Sequence, residues 1–122
     1  MRVLVVSDDG ISSYVENIDA DDLSRFREIL KCYTVDVVTR RINHHDYAVF
    51  VDDCGLLVRK PVTAISEGMN GWKTALVGTL VIAGLDEDGD CIDMTDGDIW
   101  TVMDRFAKIN DGEEMRRVVV LG

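Results

Sequence analysis

The chain has 122 residues, 47% of them hydrophobic, and a formal net charge of −10. A chain of this length is one domain in size and hides roughly two-thirds of its unfolded surface on folding, so a core forms without disulfides or a structural metal. The hydrophobic share excludes disorder. The acidic balance disfavours direct contact with nucleic acid or an anionic membrane, and it permits a basic partner.

Residues 2–7 (RVLVVS) are a short apolar run, the mark of a buried strand. Asp8, Asp9 and Gly10 signal a turn, and residues 12–18 (SSYVENI) alternate as a second strand in a hairpin with the first. Residues 19–31 read as a helix. Asp19 or Asp21 caps its free N–H groups, Leu23, Phe26, Ile29 and Leu30 share an apolar face, and Lys31 lies near the end that favours a cation. Residues 33–39 (YTVDVVT) are strand-like, 40–46 (RRINHHD) a polar connection, and 47–51 (YAVFV) another strand. The turn at 52–55 leads into 56–59 (LLVR), a second hairpin ended by Pro61, which cannot donate to a ladder. Residues 62–67 read as one helical turn and 69–73 (MNGWK) as a loop.

Residues 74–83 are the most hydrophobic strand, expected at the sheet centre, with Gly78 marking a bulge or a close backbone approach. A turn at 85–90 and an extended piece at 91–94 precede a second helix over 95–109. Thr95 and Asp98 stand at capping-box spacing, and Ile99, Val102, Met103 and Phe106 supply its apolar face. Residues 1–110 are thus expected to form a single α+β domain, a mainly antiparallel twisted sheet with two helices packed on one face. Residues 111–122 are a C-terminal tail or an added strand.

Residues 84–100 (GLDEDGDCIDMTDGDIW) hold seven carboxylates and no lysine or arginine. An EF-hand register puts Asp86, Asp88 and Gly89 at positions three, five and six, but Gly84 and Thr95 fall at one and twelve, so both end ligands are missing. A turn followed by a capped helix accounts for Gly89, Thr95 and Asp98. Glu87, Asp90, Asp93 and Asp96 exceed what a turn needs and are the candidate docking acids for a basic protein surface. Trp72, in a glycine-containing loop, is the candidate contact anchor, and Trp100, beside Ile99, is assigned to core or rim packing.

His44 and His45 are adjacent, so their side chains diverge, and no CxxC stands near them. No metal site, cofactor or catalytic residue is expected on these patterns, and phosphate-binding glycine loops are absent. Arg40, Arg41, Arg59 and Lys60 make a small basic cluster if their strands pair. It reads as a solvated sheet edge, or alternatively as a ligand site. Cys32, Cys54 and Cys91 are odd in number and widely spaced, which points to a reducing, cytoplasmic setting. No signal peptide is expected, because acids follow the first apolar run at once, and no run is long enough to span a bilayer.

MRVLVV at the start, an early helix before a β-rich segment, and VGTLVIAGLDEDGDCIDMTDGDIW together resemble an uncharacterised family, the domain of unknown function DUF3846. The resemblance runs over most of residues 1–107 and is closest at Gly78-Thr79, at 84–89 and at Thr95-Asp96. It implies an origin in phages, plasmids or other mobile elements, and hence the cytoplasm of a bacterial host, and it assigns no catalytic role. The leading expectation is a non-enzymatic binding or inhibitory module acting on a host or defence protein, by nucleic-acid mimicry in one version. The alternatives are a homo-oligomer that binds a small nucleotide signal and a metal-dependent hydrolase built from the aspartates.

Overall fold

A computed structural model describes residues 1–8, 12–55, 60–67, 73–110 and 115–121. The first sheet contains β1 (Arg2–Val6), β2 (Ser13–Asn17), β3 (Val35–Ile42), β4 (His45–Asp52), β7 (Leu80–Leu85) and β8 (Cys91–Ile92). Its order is β2-β1-β7-β4-β3, with β8 pairing the end of β7, and every pairing is antiparallel. The expected β1–β2 hairpin is present, with Val5 opposite Tyr14. The central strand, β7 (LVIAGL), is buried on both faces, which is why its sequence shows a continuous apolar run rather than alternation.

The α+β class and the mainly antiparallel sheet hold, but the two helices lie on opposite faces rather than on one. Helix α1 (Leu23–Leu30) sends Phe26, Ile29 and Leu30 against Val3, Val5, Ala48, Phe50, Val81 and Ala83. Helix α2 (Asp96–Met103) sends Val102 and Ile99 against Leu4, Val6, Tyr47, Val49, Leu80 and Ile82. Neighbouring residues of one strand point to opposite faces, so the 3/5 and 4/6 positions of β1 feed two separate cores. The cap of α1 is Asp22, whose carboxylate accepts the Arg25 N–H at 3.1 Å, rather than Asp19 or Asp21. Lys31 ends the helix in the left-handed region at φ 53°.

A second sheet has the order β6-β5-β10-β9, from β5 (Val62–Glu67), β6 (Lys73–Val77), β9 (Phe106–Asn110) and β10 (Met115–Leu121). Ala64 and Leu76 carry it into the core that α2 shares. Residues 62–67 are therefore a strand, not a helical turn: Val62, Thr63 and Ile65 are β-branched, and β6 and β10 take up the strand's backbone groups. The helix expected to reach residue 109 stops at Met103, because Phe106 and its successors pair with β10 instead. The expected connection at 40–46 is mostly strand. Only Asn43 and His44 turn, both at positive φ (50° and 71°), which is the two-residue hairpin geometry whose twist matches the strands. The hairpin expected at 56–59 and the loop at 69–72 lie outside the described residues.

The expected single strand over 74–83 is two strands, one in each sheet. Gly78 makes the break, with φ +77°. Its N–H donates to the Pro61 carbonyl at 2.8 Å, and its own carbonyl accepts the buried Thr63 hydroxyl at 2.5 Å. A Cβ on Gly78 would lie 2.9 Å from Lys60 Cδ. Lys60 is fixed in turn. Its Nζ is 2.7 Å from the buried Asp52 carboxylate and donates to the carbonyls of Leu30 and Lys31, the last of α1. Burial pushes the Asp52 carboxyl up, but the hydrogen bonds from Lys60 and the Cys54 N–H outweigh it and hold the group below the usual carboxylate range.

Gly78→Ala places a side chain in a left-handed conformation against a pinned lysine. We expect it to cost about 1–3 kcal/mol, read as a lower urea midpoint at unchanged slope.

Candidate functional site

Antiparallel pairing gathers three segments at one end of the first sheet. Tyr47, near the start of β4, lies opposite Gly84, near the end of β7. The β3–β4 turn at 43–44, the β7–β8 turn at 86–90 and the start of α2 therefore share that end. Arg2 joins them, since its carbonyl accepts the Met94 N–H at 2.9 Å.

The seven carboxylates of 84–100 divide there into two groups. Asp86 builds its own turn: one carboxylate oxygen accepts the N–H groups of Asp88 and Asp90, each at 2.9 Å, around Gly89 at φ +84°. Asp93 accepts the Arg2 backbone N–H at 2.8 Å, and Asp96 takes the Arg2 guanidinium at 2.7 Å. Asp98 completes the expected capping box, accepting the Thr95 N–H at 2.8 Å while the Thr95 hydroxyl accepts the Asp98 N–H at 3.0 Å. The remaining three, Glu87, Asp88 and Asp90, are exposed and meet no cation among the described residues.

Asp98 has a further partner that local sequence spacing does not reveal. The Tyr47 hydroxyl, on a side chain only 2% exposed, donates to its other oxygen at 2.6 Å. Burial pushes the Asp98 carboxyl up, but the Tyr47 hydroxyl and the Thr95 groups outweigh that and lower it below the usual range. Burial and the same carboxylate push the Tyr47 phenol well above its ordinary value.

With α2 fixed by this contact and by Val102, Trp100 points outward and is 74% exposed, contrary to the packing role expected of it. Residues 100 and 102 stand about 200° apart around a helix, so once Val102 is core, Trp100 faces solvent. Trp100, Thr101, Asp104, Arg105 and Asn43 line an open cleft of about 350 Å³ between α2 and the β3–β4 turn.

The family described as Domain of unknown function (DUF3846) matches residues 1–107. The chain belongs to this family. Neither the curated proteins nor the solved structures provide a match. The matched part of this DUF3846 chain holds both turns, α2 and the whole cleft, and it stops short of β10.

Of the docking acids named from sequence, Glu87 and Asp90 lie on the exposed turn, while Asp93 and Asp96 hold Arg2. Trp72 and Arg59 lie outside the described residues. The basic residues that are described do not converge. Arg40 sits opposite Tyr47 and Arg41 opposite Asp46, to which it is paired at 3.2 Å, whereas Lys60 contacts Asp52 at the far end of the same strand. Among the described residues, no three His, Cys, Asp or Glu side chains could hold a metal ion. No described helix is long and apolar enough to cross a membrane. The cleft and Tyr47 were missed because their partners are distant in the chain, although the helical wheel alone pointed Trp100 outward.

Because Asp98 titrates lower in the folded state, its contribution is complete above the unfolded carboxylate value of about 3.9 and is lost as pH falls through the folded value. Stability should therefore decline below about pH 4. Tyr47→Phe should lower stability at neutral pH by about 1–2 kcal/mol, and Asp98→Asn should flatten the acid limb, with Asp52 leaving a residual slope. Urea titrations at several pH values read both effects.

Proposed function

We propose that this chain is a non-enzymatic docking module that binds a basic protein surface through the end of its first sheet. The observation that carries the reading is Trp100, 74% exposed on the helix that shares this end with Glu87, Asp88 and Asp90, whose carboxylates meet no cation among the described residues. Charges of this kind act at long range and raise association rates, and a desolvated aromatic sets the lifetime of the complex. The docking acids thus become Glu87, Asp88 and Asp90, and Asp93 and Asp96 act indirectly, by holding Arg2 and α2. In this proposal the partner is a host or defence protein in a bacterial cytoplasm, the setting that an origin in a mobile element would give. An acidic face that imitates a nucleic acid is one way to occupy such a partner.

A second reading, a small-ligand binder of the nucleotide-signal type, draws on the cleft rather than on the arginine cluster, since Trp100 offers a stacking surface and Arg105 a cation. Native mass spectrometry against a nucleotide panel separates it from docking.

The docking reading is tested by capture of partners from a bacterial lysate with the wild type and with Glu87→Lys/Asp88→Lys/Asp90→Lys. The triple variant should associate about tenfold more slowly at low salt, with the difference shrinking at high salt. Equal capture at every ionic strength sinks the docking reading.

A further inference from the structure

The cleft beside Trp100 brings an aromatic side chain and a carboxylate together. Trp100 presents an exposed indole, whose face attracts positive charge. Asp104 stands four residues further on, so it lies on the same side of α2, and its carboxylate meets no cation among the described residues. The last turn of α2 holds no basic residue, which leaves the negative end of the helix dipole uncompensated within the helix. The Thr101 hydroxyl already donates to the Gly97 carbonyl at 2.9 Å, so what it has left to offer the cleft is an acceptor. Among the described residues the cation on the cleft wall is Arg105, which is half-buried and lies beyond the helix end.

We infer that the cleft of Asn43, Trp100, Thr101, Asp104 and Arg105 receives an arginine side chain of a basic protein partner, its guanidinium stacked on Trp100 and paired with Asp104. The assignment rests on the docking reading and names the group that the docking face grips. Arginine fits better than lysine because a planar guanidinium stacks on an aromatic face while offering its edge donors to a carboxylate. Arg105 then faces the peptide carbonyls that flank the bound arginine, where its donors are matched. The overall charge of −10 complements such a partner.

The test is an NMR titration of the ¹⁵N-labelled full chain, following the indole N–H signal that disappears in Trp100→Phe. The probe is N-acetyl-arginine amide, and its uncharged isostere N-acetyl-citrulline amide is the control. A saturable shift of the Trp100 signal with arginine, absent with citrulline, is the expected result. Asp104→Asn should weaken it about two- to fivefold, and Asp104→Glu should restore it. An equal response to citrulline, no saturable shift, or an Asp104→Asn variant that binds as well as wild type overturns the assignment. Salt-sensitive partner capture that persists without arginine binding removes the cleft assignment and leaves the docking reading standing. Arginine binding without such capture overturns the docking reading, and with it the protein partner, and leaves the cleft as a site for arginine alone.

Discussion

The hydrogen bond from Tyr47 to Asp98 holds helix α2 to this end of the first sheet. Helix α2 spans Asp96–Met103, and Val102 is its one fully buried residue. A helix of eight residues does not persist in water on its own propensity. What holds it is the capping box, the Tyr47 hydroxyl reaching up from the sheet core, and Arg2 bridging to Asp96. These contacts fix the rotation of the helix as well as its existence. That rotation turns Trp100 to solvent and opens the cleft against the β3–β4 turn.

The same contacts explain why so acidic a segment folds. Asp86, Asp93, Asp96 and Asp98 are each satisfied by an N–H, a hydroxyl or a guanidinium, so their charge stabilises the turn, the start of β1 and the start of α2. Within this segment, the carboxylates of Glu87, Asp88 and Asp90 meet no cation among the described residues, and their charge faces water. Counting acids along the chain overstates the charge that faces outward, because a carboxylate beside a cap or a turn is often already committed. At the other end of the molecule Asp52 plays a comparable internal role, holding Lys60 beneath the Gly78 bend and against the end of α1.

What the sequence made legible was local. The capping box, the β1–β2 hairpin, the turn around Gly89 and three of the four residues expected on the apolar face of α1 depend on residues a few positions apart, and all are present; Leu23, the fourth, is exposed. The misreadings come from partners far away in the chain. Residues 62–67 are drawn into a strand by β6 and by β10, which begins at Met115, and residues 106–110 leave the helical pattern for the same reason. The run 74–83 looks continuous because both halves are apolar, yet one positive-φ glycine sends them into different sheets. Two faces of one sheet, each covered by a helix, are hard to tell from one when every β1 residue from Val3 to Val6 is apolar. Tyr47 gave no polar signal at all, since its hydroxyl matters only once Asp98 is above it.

Trp100 stands in water within the negative field of the neighbouring acids. Collisional quenching of its fluorescence in a Trp72→Phe background measures this directly. Red-shifted emission, ready quenching by acrylamide, and caesium more effective than iodide are the expected results. Blue-shifted emission shielded from acrylamide, or iodide more effective than caesium, would contradict that placement.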